Sequence, residues 1–261
     1  MGNESILGKL LTIVSFIIMV LVNILANILP INNMRTMELY ESYPNLFMPA
    51  SYTYIIWIPL SLLLCAFSIY QFNGKLQSRI APEVFMNIRI MFSLSSLCNV
   101  AWVFAWHYDF IALSVVLVAG MLGCMTYIGV TLTNEVYSIK DYIFIRIPFG
   151  IYRAWLTIAT IMNITVLLVS IRWQGFGLSE SLWTIIILVM TLLVVSLRIV
   201  KFQDIAYCLT VIWSLIGIFV NHYSKTHLNR QYPEIMIALV IIIIVMMVET
   251  GYLIIYKKKN R

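Results

Sequence analysis

The chain has 261 residues, of which 62% are hydrophobic and only 11% charged, and its formal net charge is +6. Soluble domains carry roughly 25% charged residues, so this composition, with a mean hydropathy of +0.94, excludes a water-soluble fold of this size. A membrane barrel is excluded as well, because the apolar runs are long and continuous, whereas barrel strands alternate over segments of about ten residues. What remains is an all-α membrane protein, a polytopic helical bundle whose backbone groups are satisfied within each helix.

A helix needs ~20 apolar residues to cross ~30 Å of hydrocarbon, and eight runs meet that need. The first, Gly8–Leu29, is too long for a removed signal peptide and lacks a small-residue cleavage site; it carries Asn23 and Asn27 one turn apart. The one long connection follows, from Pro30 to Ser51, with Pro44 and Pro49 inside it. The second run, Tyr52–Phe72, opens with Tyr52, Tyr54 and Trp57 and ends in the turn signal Phe72-Asn73-Gly74. The third, Val84–Trp106, places Asn99 and Trp102 one turn apart and adds Phe104 and Trp106. The fourth, Phe110–Leu132, holds a small-residue patch of Ala119, Gly120 and Gly123 that permits close approach of a second helix, and it motivates a homodimer. In the fifth, Ile143–Ile171, Trp155, Ala159 and Asn163 stand at steps of four and share one face. After a Gln174-Gly175-Phe176-Gly177 turn come Leu182–Val200, Ile205–Val220 and Ile235–Tyr256, the seventh run being short and flanked by polar residues.

Basic residues gather on the side of the membrane that holds both termini. Lys9, Lys75, Arg79, Lys140, Arg146, Arg198, Lys201, Lys257, Lys258, Lys259 and Arg261 fall there, against Arg35, Arg172, Lys225 and Arg230 opposite. The positive-inside rule places that side in the cytoplasm, in the cell membrane. The positive charge is therefore topological, scattered at helix ends, and implies the lipid bilayer as partner and no nucleic acid.

The four cysteines all fall inside spans without a CxxC pair and read as small hydrophobes. His222 and His227 are five apart, which does not align two metal ligands on one helix face, and no metal site is expected. No nucleotide loop, heme-attachment signature or nucleophile elbow is visible. Most carboxylates sit in loops and no acid/base or nucleophile set converges, so the chain reads as a non-enzyme with no required cofactor.

The membrane interior does hold amides and tryptophans. Each asparagine fits a role as interhelical glue, and each tryptophan a role as a headgroup anchor. Together they also fit an aromatic pocket with a few polar groups, as small-molecule sites commonly have.

At these residues the sequence resembles the TspO/MBR family, the tryptophan-rich sensory proteins related to the mitochondrial translocator protein. Asn99, Trp102, Phe104 and Trp106 match its third-helix pattern; Trp155, Ala159 and Asn163 match its fifth; Pro49, Tyr52, Tyr54 and Trp57 follow the order of its second; and Pro148-Phe149 stands for the pair that precedes the fifth-helix tryptophan. Pro148 lies seven residues before Trp155 rather than four, and Ser61 replaces a common tyrosine. The resemblance spans about Thr12 to Ile171 and implies a longer, divergent member. Residues 1–172 would form a five-helix domain and 173–261 a three-helix extension. It implies a hydrophobic small-molecule ligand, with bound porphyrin or heme, or a sterol-like lipid, lined by Trp57, Asn99, Trp102, Trp155, Asn163, Tyr54 and Ala159. The Pro30–Ser51 connection would be a lid. Two alternatives stay open: a secondary transporter using Arg89, Arg153 and Glu249, and the porphyrin-degrading membrane enzyme attributed to the family.

Overall fold

The computed structural model describes residues 2–72, 80–135 and 137–259. The Asn73-Gly74 turn, Lys75, Arg79 and Arg261 lie outside the described residues, as do the side chains of Lys257, Lys258 and Lys259. Among the described residues there is no β-strand, and eight helices are long and apolar enough to span a bilayer: Ile6–Ile28, Ser51–Tyr70, Pro82–His107, Ile111–Thr131, Ile139–Ser170, Glu180–Ile199, Ile205–Tyr223 and Pro233–Tyr256. This is the all-α membrane bundle that composition demands, and the chain is an integral membrane protein.

The chain forms two compact units, one of residues 1–43 with 56–167 and the other of 44–55 with 168–261. The first long connection is thus divided at Pro44.

Unit 1 is built from α1 (Gly2–Ile28), α2 (Thr36–Glu41), α3 (Trp57–Tyr70), α4 (Pro82–His107), α5 (Ile111–Thr131), α6 (Ile139–Asp141) and most of α7 (Ile147–Ser170). Pro82 opens α4 at its first turn, where the missing N–H has no helical partner to lose. Before Pro148 the chain widens into a π-turn over Tyr142–Arg146, with the Ile147 N–H bonded five residues back to the Tyr142 carbonyl. Proline cannot continue the ordinary ladder, and the wide turn absorbs that break. The core closes around Phe67, whose ring meets Phe149 at 4.7 Å and Phe92 at 5.8 Å, both edge to face. Helix α5 passes close to the fully buried Arg153 at Gly129, where an added Cβ would run into the guanidinium.

Unit 2 holds α8 (Glu180–Phe202), α9 (Ile205–Tyr223) and α10 (Pro233–Lys259), together with the segment 44–55. Helix α9, the short polar-flanked run of the sequence, is the most buried of the three. Its polar residues explain why. Irregular backbone at membrane depth needs its polar groups satisfied by protein, and α9 satisfies those of the segment. His222 Nε2 donates to the Leu46 carbonyl (2.9 Å), Asn221 Nδ2 to Met48 O (2.9 Å) and Trp213 Nε1 to Thr53 O (3.0 Å). The Ala50 N–H bonds the Gly217 carbonyl at 3.0 Å, an approach that leaves no room for a side chain at Gly217. Between α8 and α10, Ser196 Oγ donates to Glu249 Oε2 at 3.0 Å.

Candidate functional site

The sequence pairs two of the three tryptophans, Trp102 and Trp155, with an asparagine on the same helix. The structure re-pairs them between helices of unit 1. Trp102 Nε1 on α4 donates to Asn163 Oδ1 on α7 at 3.0 Å. Ser114 Oγ on α5 lies 3.0 Å from the same oxygen and 2.8 Å from the Ile111 carbonyl, so its single proton serves one or the other. Asn163 Nδ2 turns back to the Ala159 carbonyl at 2.8 Å. The amide is fully buried, and a buried polar group must find such partners or lose stability. Asn99 instead meets α1, accepting from Asn23 Nδ2 at 2.5 Å, while Asn23 also bonds the Met19 carbonyl.

Trp155 faces α3. Its ring packs edge to face with Trp57 at 6.4 Å, and Trp57 meets Tyr152 in the same way at 6.1 Å. Trp155 is buried and Trp57 half-buried, so Trp57 is the ring with surface to offer. Trp155 and Asn163 share a face but lie eight residues, about 12 Å, apart along the axis, with half-buried Ala159 between them. The candidate residues on α7 therefore fall into two clusters on one face of that helix: an aromatic one at Trp57, Tyr152 and Trp155, and a hydrogen-bonded one at Trp102, Ser114 and Asn163. Tyr54 belongs to unit 2, apart from the other six residues singled out.

The end of α4 is capped by the first part of the long connection. Asn32 and Asn33 take positive φ in a tight turn, which asparagine tolerates, and Asn32 Nδ2 donates to the His107 carbonyl at 2.9 Å. Helix α2 then lays Tyr40 on Trp106 at 4.4 Å, and Trp106 stacks on Trp102 at 5.7 Å. Burial drives the Tyr40 hydroxyl well above its ordinary pKa, offset in part by the Asn163 carboxamide. Tyr43 donates to Asp109 Oδ1 at 2.6 Å, and that bond, with burial and the carboxylate charge, pushes its pKa up to about 12. Both hydroxyls stay protonated donors at neutral pH.

Tyr40, Ser114 and Tyr152 contact these candidate residues without having been singled out in the sequence. Tyr152 was within reach of pattern reading, because it stands three residues before Trp155 on the same face. Tyr40 and Ser114 carry no such signal.

The chain matches the family model of the TSPO-like protein over residues 9–252. That match runs through all eight spans and well past Ile171, where the resemblance in the motifs stops. No curated protein matches, and no solved structure matches. The amide and tryptophan motifs are in place on their helices, and the family match covers most of the chain; this integral membrane protein belongs to the TSPO-like protein family.

Proposed function

We propose that unit 1 binds a flat hydrophobic ligand, such as a tetrapyrrole (porphyrin or heme) or a sterol-like lipid, and that the chain senses or carries it. The observation that carries this reading is the half-buried Trp57 ring, held edge-on by Trp155 and Tyr152. A large aromatic plane stacks on such a ring with favourable quadrupole geometry, worth ~0.5–1.5 kcal/mol beyond area burial. The polar cluster beside it supplies shape more than hydrogen bonds, since the Trp102 N–H and the Asn163 amide are already engaged within the protein. Helix α2, seated on Trp106, is the part of the long connection placed to act as a lid.

Protoporphyrin should quench the tryptophan fluorescence of the purified protein in a saturable way. Trp57→Ala should weaken that binding about tenfold or more, adding lost area to lost stacking, and Trp155→Ala should weaken it indirectly, by removing the ring that holds Trp57 edge-on. Trp183→Ala, in unit 2, should change it little. Equal weakening by all three, at unchanged thermal stability, would remove the ligand from unit 1. Proton-coupled solute flux in liposomes with no response to porphyrin or sterol would favour the secondary-transporter reading, whose candidate Glu249 is bonded to Ser196.

The excess of basic residues supports cytoplasmic termini in a cell membrane. On α5, a Cβ at Gly120 or Gly123 would meet nothing within 4 Å, which supports a second copy as the occupant of that small patch. Single cysteines in a background without the native four check both statements. A cysteine at Glu41 should label from outside and one at Asn260 only from inside, while one at Gly123 should cross-link two copies in bilayers. Labelling of position 41 from the cytoplasm would reverse the orientation, and monomers alone would remove the dimer.

A further inference from the structure

At the opposite end of unit 1 from the α2 cap, two buried basic residues are linked through Gln71 and have no carboxylate partner among the described residues. Arg89, on α4, is 3% exposed, and Lys9, on α1, is 8% exposed. The Arg89 guanidinium sits 4.6 Å over the Phe85 ring and donates through Nε to Gln71 Oε1 at 3.1 Å. Gln71 is itself fully buried and is spent on backbone, its Nε2 donating to the Ser68 and Lys9 carbonyls. Lys9 Nζ lies 5.1 Å over Phe72. Arg89 Nη2 is buried with no hydrogen-bond partner, and among the described residues no carboxylate pairs with either cation. The connection that follows Gln71 carries Lys75 and Arg79 and no acid.

A buried ion needs a partner, or its desolvation goes uncompensated. Lysine can escape by losing its proton; arginine cannot. The stem of Arg89 runs beside Gly8 on α1, where a Cβ would lie 3.4 Å from its Cδ. Depth identifies the missing partner. Lys9 lies three residues from the start of its span and Arg89 seven, about 5 and 10 Å along the helices. Long basic side chains at that depth reach toward the headgroup layer, and the guanidinium fork matches phosphate oxygens.

We propose that Arg89 and Lys9 form a binding site for a phosphate-bearing anion, the headgroup of an anionic phospholipid in the leaflet at that end of unit 1. In the orientation proposed above this is the cytoplasmic leaflet, where anionic lipids concentrate.

Phosphatidylglycerol, phosphatidylcholine and inorganic phosphate are the probes, each titrated into delipidated full-length protein in a neutral detergent. Thermal stability and retained lipid, counted by intact-complex mass spectrometry, are the two readouts. Phosphatidylglycerol should raise Tm and remain bound, and phosphatidylcholine should do neither. Arg89→Gln should weaken phosphatidylglycerol binding about tenfold or more, Lys9→Gln by several fold, and Lys140→Gln, an exposed cation, should not alter it. Arg89→Lys keeps the charge without the fork, so it provides a folded variant if Arg89→Gln is unstable, and it should bind at an intermediate level. An equal response to inorganic phosphate, lost in Arg89→Gln, would keep the anion site but assign it to free phosphate. Phosphatidylglycerol binding that is unchanged in Arg89→Gln and Arg89→Lys, or no response to any probe, would overturn the proposal.

Discussion

Gly129→Ala should destabilise unit 1, although glycine to alanine inside a helix ordinarily stabilises by about 1 kcal/mol. The added Cβ would fall 1.7 Å from Arg153 Nη1 and 2.6 Å from Cζ. At a surface an arginine would swing aside, but Arg153 is 1% exposed and has nowhere to take its charge. Overpacking costs about 1–3 kcal/mol, and a buried charge torn from its partners costs ~3–5 kcal/mol, so the sign should reverse and Tm should fall. A double-mutant cycle isolates the cause. In an Arg153→Met background, Gly129→Ala should lose most of its effect. Gly251→Ala on α10, with open space around its Cβ, should be neutral or mildly stabilising. Equal losses from Gly129→Ala in both backgrounds would show that the close approach to Arg153 is not what matters.

Gly217→Ala should release the segment 44–55 from α9. Its Cβ would stand 2.0 Å from Thr53 Oγ1, 2.9 Å from Cγ2 and 3.0 Å from Cβ. A rotamer change at Thr53 moves the first two atoms but not the third, so the backbone must shift. The Ala50–Gly217 bond and the Trp213 bond to Thr53 O lie on either side of that contact and should weaken together. Amide hydrogen exchange over 44–55 should rise at least tenfold while that of α4 stays constant. Thr53→Ala should restore part of the protection, because it removes Oγ1 and Cγ2 and leaves only Cβ. Exchange unchanged by Gly217→Ala would mean that the segment tolerates a side chain there.

These two glycines mark what a sequence can and cannot disclose. All eight spans were legible, within a few residues, because a bilayer imposes a length and a polarity that apolar runs display directly. Asn99, Trp102, Trp155 and Asn163 were legible as interior residues because an amide at bilayer depth has few alternatives. Their pairing was not. Periodicity says which residues share a face of one helix, and nothing in it says which face of another helix they meet. Asn99 accordingly bonds Asn23 rather than serving Trp102, whose N–H goes to Asn163. Helix α9 shows the same limit from the other side. Asn221 and His222 look like the frayed end of a weak span, yet they hold the backbone of a connection far back in the chain. Gly129 and Gly217 carried no signal at all, since the atoms that forbid a side chain there come from distant segments.

The passage of residues 44–55 through unit 2 also sets an order of events during synthesis. The segment bonds to α9 across 160 to 176 residues of chain. At about 5–20 residues per second, translation needs on the order of ten to thirty seconds to make that stretch. Throughout that interval α3, α4, α5 and α7 are made, inserted and free to pack, while the carbonyls of Leu46, Met48 and Thr53 wait for donors not yet translated. The connection between the first two spans is thus left open until α9 arrives to complete it.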